Sequence, residues 1–432
     1  MSIESLYSHF EKHPKVTTDS RNCPVGSIYF ALKGEHFDGN KFAISALEKG
    51  CSLAVVDDIS LKNIKGCFFV EDVLTTLQEL ATYYRKNIGI RIIGITGTNG
   101  KTTTKELIAT VLSKKYRVGF TQGNLNNHIG VPLTLLSFSK ETEIAVVEMG
   151  ANHIKEIEFL TNIAQPDYGL ITNVGKAHLE GFGSFEGVMK AKAELYDYLK
   201  HNKKTVFINQ DNQLLADMLG DSSIEKIEYG TNNNSYISGE LVKTNSFLEF
   251  YWNKNSEMNH VTTQLLGQYN FENALAAVSI GTYFDVEASL INEALSNYQP
   301  QNHRSQLVET TKNKVLLDAY NANPTSVKAA LDNFKNIVTK NKTVILGEMR
   351  ELGNDSEKEH LEVIKQLQSL SLDTIFLVGN EYKNLLPNDE VFQWFESVEK
   401  LKEFLKNNNL ENCFVLVKGS RSNRLEEIVE CL

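Results

Sequence analysis

The sequence is short of cysteine, with 5 in 432 residues, at Cys23, Cys51, Cys67, Cys413 and Cys431. Scattered, odd in number and without metal-ligand spacing, these exclude a disulfide framework and a zinc knuckle. They point to a reduced, cytoplasmic setting. Long apolar runs are missing too: no stretch approaches the roughly 20 residues that cross a bilayer, so no membrane span is expected. The opening residues from Met1 to Tyr7 carry no basic segment leading into an apolar one, and no export signal is expected. Positive charge is in deficit, with 44 Lys and Arg against 54 Asp and Glu, a net charge of −10. Nonspecific nucleic-acid binding needs a positive field, so that class is set aside. A small anionic ligand needs only a local cationic pocket and stays in play. Tandem repeats and extended low-complexity segments are absent as well.

What is present is an ordinary globular composition, 41% hydrophobic and 23% charged, over a length that suggests about three domains. Residues 1–87 read as a small α/β unit. Ile28, Phe30 and Leu32 alternate with period two, and the apolar runs Leu53 to Val56 and Cys67 to Val70 follow. A helix from Val73 to Arg85 and a short linker over 86–89 close it. Residues 88–299 begin with the strand Arg91 to Thr96 and continue with buried-strand runs at Ile144 to Glu148, Tyr168 to Thr172 and Thr205 to Ile208. Helical patterns such as Leu107, Ile108, Val111 and Leu112 lie between them, which predicts a parallel sheet covered on both faces. From about 221 to 263 the pattern turns polar and Asn-rich, with Phe247, Phe250 and Tyr251, and predicts an antiparallel insertion or edge. Residues 300–432 alternate strands at Val315 to Leu317, Thr343 to Leu346, Thr374 to Val378 and Phe414 to Val417 with helices. One of these helices starts at Pro324 and sets Val327, Leu331, Phe334 and Val338 on one face. The fold class is therefore α/β in three domains, the last a second open α/β unit.

The run from Gly94 to Thr103, Gly-Ile-Thr-Gly-Thr-Asn-Gly-Lys-Thr-Thr, falls between a strand and a helix. Gly97 and Gly100 let the backbone turn tightly and aim N–H groups at an anion. Lys101 adds a cation, and the positive end of the following helix points inward. Thr102 sits where such loops ligate the magnesium that accompanies nucleotide phosphates. The spacing departs from the usual Gly-x4-Gly-Lys-Thr form, which would need glycine at Ile95. A glycine-rich turn with no ligand is the competing reading.

Other candidates also end strands. Glu148 closes one and is placed to hold magnesium, or else serves as a helix cap or surface acid. His178 follows another strand end in a glycine-rich loop, though a lone histidine is more often structural. Lys192, in Met-Lys-Ala-Lys-Ala-Glu over 189–194, reads on its own as part of a solvated helix face. Asp318 ends a strand, and Asn321 and Asn323 before Pro324 suit a turn that caps the next helix. Lys418-Gly-Ser-Arg421 forms a cationic glycine turn that either faces an anion or decorates the surface.

Together the 96–103 loop, the Glu148-Met-Gly150 segment, the 173–184 loop and Lys192-Ala-Glu194 resemble the Mur ligases. The 318–326 segment, Leu346-Gly-Glu-Met-Arg-Glu-Leu-Gly353 and Lys418 to Arg421 are similar to the branch of that family that adds D-alanyl-D-alanine. Asp19-Ser-Arg21, Ala31 to Gly34, Asp38-Gly39 and Gly123 to Gly130 match that branch as well. The resemblance implies an N-terminal domain for a UDP-sugar substrate, a central ATP-binding ligase domain and a C-terminal Rossmann-like domain. It implies ATP-driven amide synthesis through an acyl phosphate, with UDP-N-acetylmuramoyl-tripeptide and D-alanyl-D-alanine as partners, in a cytoplasmic monomer that makes cell-wall peptidoglycan precursor. Carried over by position, it implies ATP contacts at Gly97, Thr98, Asn99, Gly100, Lys101, Thr102, Thr103, Asn270, Asn273, Arg304 and Asp318. Thr102 and Glu148 would hold one Mg2+, and His178 a second supported by a carbamylated Lys192. Lys101, Glu148, His178 and Lys192 would carry the chemistry. Asp19, Ser20, Arg21, Lys33, Asn126, Asn127, Asn321, Asn323 and Arg421 would meet the substrates. His303 and Lys155 stand where glycine is usual in the family. A sister ligase, a folylpolyglutamate-type ligase and a nucleotide-hydrolysing switch are the alternatives. The segment from Tyr320 to Pro324 argues against the first two, and the set Glu148, His178 and Lys192 against the third.

Overall fold

The apolar runs of the sequence become strands in three separate sheets flanked by helices. The structure is a computed structural model that describes residues 2–221, 223–242, 247–300 and 304–432. His303 lies outside the described residues. In the first unit Val16–Thr17, Ile28–Phe30, Leu53–Val56 and Cys67–Phe69 pair in parallel in chain order. Both faces of Ile28–Phe30 are buried. Ile28 and Phe30 pack with Leu6 and Leu77, while Tyr29 packs with Ala43 and Ala46 on the other side.

The closing helix runs Val73–Ile88, so the expected linker over 86–89 is its last turn. Asp72 caps its start by accepting from the Thr75 N–H at 2.6 Å, and Gly89 ends it at φ +68°. The helix is also an interface. The Tyr84 hydroxyl donates to the Phe138 carbonyl at 2.6 Å, and Arg85 pairs with Asp167 at 2.7 Å while donating to the Ala164 carbonyl at 3.0 Å.

Among the described residues the central sheet has nine strands. The strand Arg91–Thr96 lies in its middle, paired in parallel with Tyr168–Ile171 on one side and Ile144–Glu148 on the other. Chain order reverses there, and such a reversal opens a crevice at the carboxyl ends of the strands. The helices Lys101–Leu112 and Asn270–Tyr283 pack on one face through Leu107, Ile108, Val111, Ala274 and Val278. Glu156–Ala164 and Phe185–His201 cover the other. The stretch expected to be an antiparallel insertion or edge is the sheet's edge, though only part of it is antiparallel. Lys226–Gly230 and Ile237–Leu241 still run parallel, and only Phe247–Lys254 and Glu257–Leu266 turn antiparallel.

Among the described residues the third sheet has six strands, ordered Gln306–Glu309, Lys314–Asp318, Phe414–Lys418, Lys342–Gly347, Thr374–Val378 and Phe392–Phe395. All pairings but the first are parallel. The helix Pro324–Asn336 buries Val327, Leu331 and Phe334 as its period predicts. It stops before Val338, because Ile337 turns extended, and Val338 is 79% exposed. Among the described residues no helix is long and apolar enough to cross a membrane.

Candidate active site

The phosphate loop leaves its buried strand at Thr96. Gly97 takes φ +144° and Gly100 φ +78°, and both approaches are tight. A Cβ on Gly97 would lie 2.0 Å from the Thr172 hydroxyl, and one on Gly100 2.6 Å from Asn273 Oδ1. Only glycine fits either position. The neighbouring strand end clamps the loop: Thr172 Oγ1 donates to the Asn99 carbonyl at 2.6 Å, and the Asn99 N–H to Asn173 Oδ1 at 3.0 Å. Lys101 opens the helix, its ammonium donating to the Gly97 and Thr98 carbonyls at 2.8 and 3.0 Å. Burial, then the nearby Arg304 charge, hold it down at about 8, with Glu148 opposing. Cations drawn together in this way make a complementary site for phosphate.

Glu148 ends its strand 1% exposed, so it is neither a cap nor a surface acid. Its Oε2 accepts from the Thr102 hydroxyl at 2.9 Å and its Oε1 from Asn126 Nδ2 at 2.8 Å, with the Lys105 ammonium 4.0 Å away. Among the described residues no group of three or more His, Cys, Asp and Glu is disposed to hold a metal. A carboxylate beside a hydroxyl fits magnesium nonetheless, because that ion keeps waters and nucleotide oxygens and asks for one or two protein carboxylates.

Lys192 is 2% exposed while Lys190 is on the outer face of the same helix, so the solvated-face reading holds for the second lysine alone. The Lys192 ammonium stands 5.5 Å from the Phe182 ring centroid. Burial first, and the Lys101 charge second, hold it down at about 7, against Glu194 and Glu156. Glu194 itself caps the start of Glu156–Ala164, accepting from the Lys155 N–H at 2.6 Å and the Glu158 N–H at 2.9 Å. His178, at φ +50°, sets its Nδ1 against the Glu351 carboxylate of the third domain. Burial lowers its pKa, Lys101 and Lys192 add to that, and Glu351 opposes.

One cavity of about 1260 Å³ gathers these groups with the third-domain wall. That wall carries Asp318, neutralised by Lys418 at 2.7 Å, and Arg304, whose guanidinium carbon lies 3.7 Å from the Tyr320 ring centroid. The Arg304 Nε is buried without a hydrogen-bond partner among the described residues. Every expected nucleotide contact lines this cavity, as do Asn126, Asn127, Asn321 and Arg421. Asn270 and Asn273 are buried and joined to each other at 3.0 Å, and Thr104 donates to Asn273 at 3.0 Å.

Several of the expected substrate residues have other work. Asn127 Oδ1 accepts from the Ile129 and Gly130 N–H groups, at 3.1 and 2.8 Å, in the turn that leads into the helix Gly130–Ser137. Asn321 Oδ1 accepts from the Ala322 N–H at 2.9 Å. Asn323 caps the Pro324–Asn336 helix and also donates to Asn99 Oδ1 of the phosphate loop at 2.9 Å, across the domain seam. Asp19, Ser20, Arg21 and Lys33 do not line the cavity. Asp19 and Arg21 pair on the first domain's surface, Ser20 offers its carbonyl to Lys49, and Lys33 pairs with Asp57 at 2.8 Å. Lys105 and Glu351 were not singled out from the sequence. The helical spacing of Lys105 from Lys101 is its signal in the sequence; Glu351, in the segment from Leu346 to Gly353, has none of its own.

A phosphate loop, a buried hydroxyl–carboxylate pair and a buried lysine gathered on one cavity fit an ATP-dependent ligase class. The chain matches the Mur ligase middle domain family over residues 95–281 and the Mur ligase, glutamate ligase domain family over 303–421. It belongs to the Mur ligase family. It is 36% identical over 429 residues to the UDP-N-acetylmuramoyl-tripeptide–D-alanyl-D-alanine ligase of Bacillus subtilis, covering 96% of this chain and 92% of that protein. Among solved structures it is similar to MurF from Acinetobacter baumannii, with TM-score 0.86, 30% identity, and 96% and 92% of the two chains covered. It is also similar to MurF ligase from Thermotoga maritima in complex with ADP, with TM-score 0.84, 26% identity and 96% of each chain covered.

Proposed function

We propose that this chain joins D-alanyl-D-alanine to UDP-N-acetylmuramoyl-tripeptide at the expense of ATP, yielding the pentapeptide precursor of peptidoglycan. The chain is an ATP-dependent amide-forming ligase. Its end-to-end likeness to ligases of that name carries the reading, and the gathering of Lys101, Glu148, Lys192 and the third-domain wall on one cavity supports it. The tripeptide carboxylate attacks the γ-phosphorus of ATP, ADP leaves, and an acyl phosphate forms. The dipeptide amine then attacks the acyl carbon and loses a proton as phosphate departs. Both steps ask for alignment and for cancellation of charge on oxygen, more than for covalent work by the protein.

Lys101 and the loop N–H groups bind the β- and γ-phosphates, with Gly97, Thr98, Asn99, Gly100, Thr102 and Thr103 around them. Asn270 and Asn273 meet the adenine, and Arg304 and Asp318 reach the nucleotide from the third domain. Thr102 and Glu148 would hold one magnesium, and His178 with Lys192 as its carbamate would hold a second; bound magnesium neutralises phosphate charge. Carbamate formation needs the neutral amine: its nitrogen bonds to the carbon of CO2 and a proton leaves to solvent. An amine held down at about 7 supplies that form at neutral pH. Asn126, Asn127, Asn321, Asn323 and Arg421 border the peptide, and the first-domain face with Asp19, Ser20, Arg21 and Lys33 takes the nucleotide-sugar as the domains close. The enzyme works in the cytoplasm as a monomer.

Phosphate release over a matrix of UDP-muramoyl peptides, ending in meso-diaminopimelate or lysine, and several dipeptides tests this. Release is expected only with a tripeptide and D-alanyl-D-alanine together. Release indifferent to the dipeptide would point to a nucleotide-hydrolysing switch and sink the ligase reading.

A further inference from the structure

Two carboxylates of the third domain face the cavity, Asp318 and Glu351. Lys418 neutralises Asp318 from within the same domain. Glu351 has no lysine or arginine partner among the described residues, and its carboxylate reaches across the seam to His178. Its side chain is 52% exposed.

The loop beneath Glu351 is built to hold it there. It leaves the strand Lys342–Gly347 and is anchored by Met349 and Leu352, 1% and 3% exposed. His360, wholly buried, accepts from the Met349 N–H at 3.0 Å and returns its other ring nitrogen to the Ser356 carbonyl at 2.7 Å. Arg350 turns back to Glu348. The Glu351 carbonyl accepts from the Glu180 N–H of the central domain at 3.2 Å. Between these anchors Glu351 takes φ +61°, a left-handed backbone that is strained for a non-glycine residue. Strain held by so many fixed neighbours is characteristic of positions that aim a side chain at a ligand.

Arg421 lies on the same wall. It has no carboxylate partner among the described residues, and its guanidinium carbon is 5.8 Å from the Tyr320 ring centroid. The wall thus offers one carboxylate, Glu351, and two guanidiniums, Arg304 and Arg421, without neutralising partners in their own domain among the described residues; with Arg304 given to the nucleotide, Glu351 and Arg421 remain. A zwitterionic peptide carries the matching pair of charges at its two ends.

We infer that Glu351 receives the ammonium end of the incoming dipeptide, with Arg421 at its carboxylate end. This rests on the ligase reading of the same cavity. The seam position gives the pairing its use. An ammonium held at Glu351 lies beside His178 on the central-domain wall, the wall that also carries Lys192 and the phosphate loop; it gives up one proton to the Glu351 carboxylate, and the neutral amine is then in place to attack. An N-acylated or desamino dipeptide leaves Glu351 without its partner and binds less well.

The test compares wild type, Glu351→Gln and Glu351→Asp, with D-alanyl-D-alanine as substrate and propanoyl-D-alanine, which lacks the ammonium, as competitive inhibitor. Glu351→Gln should raise the dipeptide KM about tenfold or more, while the inhibitor's Ki moves less than about twofold, as expected for loss of one charge-assisted contact. The KM for ATP should hold, and Glu351→Asp should fall between. Equal changes in the dipeptide KM and the inhibitor Ki would assign Glu351 a structural part and overturn the inference, as would no change in either. Wild type that releases no phosphate with D-alanyl-D-alanine would instead bring down the ligase reading, and this inference with it.

Discussion

The two walls of the cavity hold their carboxylates differently. On the central-domain wall Glu148 is 1% exposed, with a hydroxyl, an amide and a lysine around it, all from its own domain. On the third-domain wall Glu351 is half exposed, stands on a strained backbone and finds its neighbour, His178, only across the seam. The first wall is rigid before any substrate arrives, as charge stabilisation in a phosphoryl transfer requires. The second depends on how two domains meet, which suits a surface that admits one reactant and closes on it. Substitutions on the first wall should therefore cost turnover, and those on the second should cost affinity.

The largest effect is expected at Lys101. Lys101→Ala should lower kcat about 10²- to 10³-fold with the fold intact by circular dichroism, because it removes the cation from the phosphate site. Substantial D-alanyl-D-alanine-dependent phosphate release by that variant would break the contrast at its strongest point. Lys192→Ala comes next, with a loss of about 10- to 100-fold that short carboxylates partly restore. Lys190→Ala, on the exposed face of the same helix, should leave activity within about twofold, as a surface change does.

The buried lysine also has a signature in stability. Its folded pKa of about 7 lies below the ordinary lysine value of roughly 10.4, so the folded state binds fewer protons between the two. Stability from this group therefore rises with pH across that window, and the burial penalty is full below it. In CO2-depleted buffer Lys192→Met should gain most over wild type, by urea midpoint, near about pH 6, and the gain should shrink toward about pH 10.

Smaller effects test the seam and the backbone. Asn323→Ala should cost about 1 kcal/mol in urea unfolding for the lost helix cap. Because the same side chain donates to Asn99, the KM for ATP should rise too. Lys155→Gly relieves a backbone at φ +77° and keeps the N–H that Glu194 accepts. It should raise stability by about 0.5 to 1 kcal/mol and leave kcat unchanged. The Lys155 side chain also pairs with Glu158, and a destabilised Lys155→Gly would show that this ion pair outweighs the strain.

The parts of the site that were legible in the sequence are local ones. Gly97, Gly100 and Lys101 lie within five residues, and their conformational demands are met inside one strand–turn–helix unit. Strand ends were legible as well, since short apolar runs bounded by polar turns set Glu148, His178 and Asp318 at the same edge of their sheets. Other features carried no such signal. Lys190 and Lys192 are alike in sequence, and only the packing of Phe185–His201 against its sheet buries one of them. The predicted apolar face through Val338 failed because Ile337 leaves the helix. Asn127 and Asn323 look like ligand amides, yet Asn127 holds a turn and Asn323 caps a helix, since an asparagine side chain satisfies backbone N–H groups and a ligand equally well.

By itself, then, the sequence determined the three-part α/β order, the phosphate loop and the chemical kinds of group gathered near it, because these follow from backbone propensity and short-range spacing. The tertiary structure decided which lysine is buried and held near neutral, and which asparagines are committed to a turn or a cap. It also decided that Glu351, 173 positions beyond His178 in the chain, meets it at the domain seam. Burial and charge compensation act through space, where residues remote in sequence set one another's surroundings.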